Sequence, residues 1–108
     1  MDKEYFLYIL ECADGSFYTG ITRDLERRLH VHQQGLDHHA YTYRRRPVKL
    51  VWSQAFASLN DAFQRERQIK GWSHPKKEAL IRGDFDGIHE IVKSERERRK
   101  PSRRAKRM

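Results

Sequence analysis

Cysteine is nearly missing: Cys12 is the single one in 108 residues. No intrachain disulfide can form, and the composition suits a reducing compartment, so a cytoplasmic location is expected. Long apolar runs are missing too. Nothing approaches the roughly 20 residues that cross a bilayer as a helix. The opening MDKEYF lacks the basic and apolar regions of a secretory signal. A soluble protein with no membrane partner is expected. Internal repeats are absent, and nothing in the chain calls for a small-molecule cofactor. The length allows one modest core and no second large domain.

Negative charge is scarce in one place. The chain carries 23 Lys/Arg against 15 Asp/Glu, a net +8. From Lys93 to Met108 there are nine Lys/Arg and two Glu, or +7, which leaves +1 for residues 1–92. The expected organisation is therefore a nearly neutral domain over 1–92 and a basic, disordered arm over 93–108. Lys100, Arg103 and Arg104 lie in that arm. A polycationic arm suits a phosphate backbone and a salt-dependent contact. Solvation alone is the plainer explanation of such a tail.

What is present begins with an apolar stretch, Tyr5–Cys12, that reads as a strand covered on both faces. Ala13, Asp14 and Gly15 form a turn, and Ser16–Ile21 returns. A two-residue turn would put Tyr8 and Tyr18 on opposite faces. A three-residue turn, with Gly15 left-handed, pairs Tyr8 with Gly20 and sets Tyr18 diagonally beside it. If the tyrosines cooperate, the longer turn is required, and Gly20 leaves room beside Tyr8.

The spacing predicts a helix over Asp24–Gln34, capped by Thr22 or Asp24 and ended by Gly35. Its inner stripe holds Leu25, Leu29 and Leu36, together with Arg28 and His32. Arg23, Arg27, His30 and Gln34 fall on the wet face. A polar loop follows over 35–46, and Pro47 opens a third strand, Val48–Phe56. Ser58 and Asp61 resemble a capping box. The next helix carries Leu59, Ala62, Phe63 and Ile69 on its inner stripe, with Glu66 among them. A short helix is expected over Pro75–Ile81. The fold class is α/β (α+β): a small, three-stranded, largely antiparallel sheet flanked by helices.

Polar groups on buried stripes are costly unless paired or used. Arg28 alone would read as a snorkelling stem, His32 alone as a satisfied core histidine, and Glu66 as half of an internal ion pair with Arg28 as its candidate partner. Together, beside a tyrosine pair, they read as a site. His30 and His32 point about 200° apart on a helix, and with one cysteine they supply no four-ligand zinc set. The loop run Arg44, Arg45, Arg46, preceded by Tyr41 and Tyr43, mixes charge with stacking faces and suits nucleic acid. An exposed basic loop is the plainer alternative.

These motifs resemble the GIY-YIG endonuclease superfamily, and its small stand-alone bacterial members most closely. The first half appears as Leu7-Tyr8-Ile9, the second as Tyr18-Thr19-Gly20, the helix as Asp24 to Leu29, and the later stretch as Phe63 to Trp72. The tripeptides depart from Gly-Ile-Tyr and Tyr-Ile-Gly, but both tyrosines and Gly20 remain. Some relatives add a late asparagine near the metal, and no asparagine follows Glu66 here. The resemblance implies catalytic roles for Tyr8, Tyr18, Arg28 and His32, and one metal ion, Mg²⁺ or Mn²⁺, at Glu66. Tyr8 is named first as general base, with His32 as its partner. Metal-dependent hydrolysis of DNA at nicked, branched or damaged sites is expected, with RNA left open. The rivals are a non-catalytic nucleic-acid-binding module of the same fold and, on charge alone, an adaptor for an acidic protein.

Overall fold

The computed structural model describes residues 4–84 and 86–88. The expected boundary after residue 92, the basic arm, and with it Lys100, Arg103 and Arg104 lie outside the described residues. The chain divides into two compact units, Met1–Gly71 and Trp72–Met108.

In the first unit, β1 (Tyr5–Glu11), β2 (Phe17–Thr22) and β3 (Lys49–Phe56) form a three-stranded antiparallel sheet in the order β2-β1-β3. The apolar run of β1 is explained by its central place. Leu7, Tyr8, Ile9 and Leu10 are all buried, whichever face they point to. The turn is the longer one. Gly15 sits at φ +84°, and the register pairs Tyr8 with Gly20 and Leu10 with Tyr18. Both tyrosines therefore project from one face.

Helix α1 (Leu25–Gln34) starts where Asp24 accepts the Arg27 backbone N–H and stops at Gly35, φ +66°. Leu25 and Leu29 pack on the cluster of Tyr8, Leu10, Cys12 and Val48, so α1 lies over the tyrosine face. Leu36, expected on the same stripe, is 61% exposed, because the helix has already ended before it. A 3₁₀ turn over Tyr43–Arg45 leads to β3. Helix α2 (Leu59–Lys70), capped by Ser58 accepting the Asp61 backbone N–H, packs against all three strands. Its buried residues are Ala62 and Ile69. Leu59 and Phe63 are 39% and 47% exposed, so the apolar stripe is wider than the surface it covers. In the second unit, α3 (His74–Arg82) starts with Pro75 in its first turn, where a missing N–H costs nothing.

Candidate active site

Four of the expected residues meet over the sheet. Tyr8 and Tyr18 come from neighbouring strands, their ring centroids 6.3 Å apart. Arg28 and His32 come from α1 one turn apart, which puts them on one side of the helix. The His32 Nε2 lies 3.1 Å from the Tyr8 hydroxyl, and its ring is 5.1 Å from that of Tyr18. The Arg28 guanidinium acts electrostatically on both phenols. Gly20 makes this possible. A Cβ there would stand 2.5 Å from the Tyr8 hydroxyl and 3.2 Å from Tyr18 Cε2.

Burial sets the electrostatics. Tyr8 is 1% exposed. Desolvation chiefly, then the neighbouring Tyr18, pushes its phenol up to about 12, against the opposing pull of Arg28. Burial first and the charge of Arg28 second hold His32 below its ordinary value of 6.5. Burial alone would lower Arg28, but the two phenols together outweigh it and push it up. The resting state is therefore a neutral phenol, a neutral imidazole and a guanidinium.

One participant has no sequence signal. Thr42 Oγ1 lies 2.6 Å from His32 Nδ1, and Thr42 is fully buried. It sits in a polar loop between two tyrosines, and only the path of that loop brings it to α1. Both imidazole nitrogens are thus engaged, one by Thr42 and one by Tyr8.

Glu66 stands apart in its contacts. It lies on α2 with its side chain 18% exposed, and its carboxylate is 3.1 Å from Lys70 Nζ, one helical turn on. Its ion-pair partner is therefore Lys70 and not Arg28. Among the described residues no three His, Cys, Asp or Glu gather as a metal cage. A single carboxylate is still a hard oxygen donor, and it fits Mg²⁺ or Mn²⁺, which keep most of their water.

The basic loop is partly spoken for. Arg45 pairs with Asp14 at 3.2 Å and lies over the Tyr41 ring at 3.8 Å. Arg46 lies over Tyr43 at 4.9 Å and donates to the Tyr43 carbonyl. Tyr41, 42% exposed, already stacks on Tyr18 with centroids 6.0 Å apart. Arg44 is exposed.

Comparison with known proteins follows the same residues. The family model of the GIY-YIG catalytic domain matches residues 4–79. A UPF0213 protein of Streptococcus pneumoniae is 42% identical over 86 residues, which cover 80% of this chain and 86% of that one. A UPF0213 protein of Bacillus pumilus is 40% identical over 97 residues, covering 86% of this chain and 98% of that one. The solution NMR structure of the protein EF2693 from E. faecalis is similar at TM-score 0.55 and 33% identity, covering 75% of this chain and 85% of that one. The match runs through both tyrosine strands, α1, β3 and α2, and the chain belongs to the GIY-YIG family, a family of nucleases.

Proposed function

We propose that this protein is a divalent-metal-dependent endonuclease that hydrolyses DNA phosphodiester bonds, at nicked, branched or damaged structures. The observation that carries this reading is the Tyr8 hydroxyl 3.1 Å from His32 Nε2, with Arg28 acting on both phenols.

Hydrolysis needs an attacking water, a route for its proton and a partner for phosphate charge. A phenol raised to about 12 is a poor base alone at neutral pH. A neutral imidazole is not. The proton route that follows passes through both groups. The water proton moves to the Tyr8 oxygen while the Tyr8 proton moves to His32 Nε2. The water oxygen then bonds to phosphorus as the bond to the leaving oxygen breaks. In this reading Tyr8 takes the water proton at its hydroxyl, and His32 is the final acceptor. Arg28 holds the charge that builds on the phosphate oxygens through its planar fork of donors. Tyr18 orients water or phosphate through its hydroxyl. A cation at Glu66 would hold phosphate and leaving oxygens.

Supercoiled plasmid with Mg²⁺ or Mn²⁺, against the same reaction in chelator, tests the reading. Metal-dependent nicking is expected. Arg28→Ala should lower it by about 10²–10³-fold, with DNA still bound. Glu66→Gln keeps shape and removes charge, so it should lose metal dependence without unfolding. The Lys70 ammonium on Glu66 favours the rival, a binding module that has kept the fold. In that case no nicking occurs, and Glu66→Gln changes thermal stability alone.

A further inference from the structure

Several positive side chains in the described residues have carboxylate partners. Arg45 pairs with Asp14, Lys49 with Glu11, Lys70 with Glu66 and Arg82 with Asp84. Arg46 is folded over Tyr43. Three arginines gather at the start of α1. Arg23, Arg27 and Arg28 have no carboxylate partner among the described residues. All three line one cavity of 390 Å³, together with Thr22, Asp24 and Val31.

Asp24 is the one acid on that wall, and its carboxylate is already engaged, accepting the Arg27 backbone N–H at 3.1 Å. Arg23 is placed by its guanidinium over the Tyr5 ring, 5.3 Å from the centroid. Arg28 lines the cavity and also acts on Tyr8 and Tyr18, so the cavity is beside the reacting groups. Three guanidiniums against one carboxylate leave this wall with an excess of positive charge, and an anion between them offsets it. A phosphate is the anion a guanidinium fork fits best.

We propose that Arg23 and Arg27 form a phosphate subsite for the DNA strand, holding the backbone beside the phosphate that meets Arg28. This deepens the nuclease reading and rests on it. It moves the main backbone contact from the 44–46 loop to the start of α1. It also gives the enzyme a grip that carries no base information, because phosphate contacts position the strand and base contacts specify it.

The test is equilibrium binding of the full chain to a short nicked DNA duplex in chelator, across a salt series. Removing one phosphate-binding side chain should make the slope of log K against log salt shallower by about 0.9. The double variant Arg23→Gln/Arg27→Gln should therefore bind more weakly, with a slope shallower by about 0.9–1.8. Its thermal midpoint should be unchanged, since both side chains are exposed. Lys49→Gln, which removes a charge already paired with Glu11, should keep the parental slope. A double variant with the parental slope overturns the subsite, as does a Lys49→Gln variant that flattens the slope equally. The two readings fail separately. A parent protein that never nicks DNA, yet shows a shallower slope in the double variant, removes only the nuclease. A double variant that nicks and keeps its slope removes only the subsite.

Discussion

Thr42 shows what one hydroxyl can decide. A neutral imidazole has one N–H and one lone pair, and its neighbours choose which nitrogen carries which. The Tyr8 oxygen faces the positive charge of Arg28, which favours acceptance at that oxygen and leaves its proton for His32 Nε2. The Nδ1 proton is then donated to Thr42 Oγ1, 2.6 Å away. Thr42 is on this assignment a positioning residue. Thr42→Val should leave a buried N–H without an acceptor, at a cost of about 1–3 kcal/mol in stability. Nicking should fall about 10–100-fold, and imidazole ¹⁵N NMR should show His32 shifting between tautomers. Thr42→Ser should restore rate and spectrum together. A Val variant that is less stable but equally active, with Nε2 still unprotonated, would make Thr42 purely structural. The pH dependence follows from His32. Its pKa in the fold lies below 6.5, so the neutral acceptor persists at pH 6.5 and activity should decline only below it. By linkage, the stability this group contributes is complete above 6.5 and lost as pH falls through the lower folded value. A His32→Gln variant should lack that acid loss in a thermal-unfolding series.

Among the elements, the β1–β2 turn does the most for the site. Its length sets the register that places Tyr18 beside Tyr8 rather than behind the sheet, and a slip of one residue would reverse the faces. The sequence leaves two turn lengths open at Asp14-Gly15, and only the demand that Tyr8 and Tyr18 share a face selects the longer one. The helix ends are legible directly: Asp24, Gly35 and Ser58 are local signals and act locally. Leu59 and Phe63 are expected inside, yet 39% and 47% of their surface stays exposed. Helical spacing tells which side of α2 is apolar, not how far the sheet extends beneath it. Thr42 is illegible because its partner lies 10 residues away across an irregular loop, where no period operates. Gly20 offers the sharpest test at this scale. Gly20→Ala puts a methyl where the Tyr8 hydroxyl and the Tyr18 edge already are. Both side chains must move off the Arg28–His32 side, and the buried sheet has no slack to take them. Overpacking of this kind should cost about 1–3 kcal/mol. Nicking should fall further than stability explains, with DNA binding intact. Full activity in Gly20→Ala would mean that the tyrosine positions are not tightly set.

Over the whole molecule, charge and chemistry are separated along the chain. The reacting groups belong to a stretch that is nearly neutral, and +7 of the net +8 falls from Lys93 to Met108. An arrangement of this kind lets two terms vary independently. On the proposed reading the arm would draw a polyanion through long-range, salt-screened attraction, and α1 would hold the strand at short range. Deleting residues 94–108 removes eight Lys/Arg and two Glu, or +6. The core residues of the sheet and of α1 and α2 all precede that segment, so the thermal midpoint should stay where it is. Binding to the nicked duplex should weaken, and the salt slope should fall by about 0.9 for every phosphate the arm had covered. The slope that remains should include the part removed by Arg23→Gln/Arg27→Gln, and the two changes should add when combined, as independent sites do. At low salt and saturating DNA the shortened chain should nick at the parental rate, because no reacting group has been touched. An unchanged slope after deletion would reduce the arm to a solvated tail. A reduced nicking rate at saturation would place part of the arm inside the reaction itself.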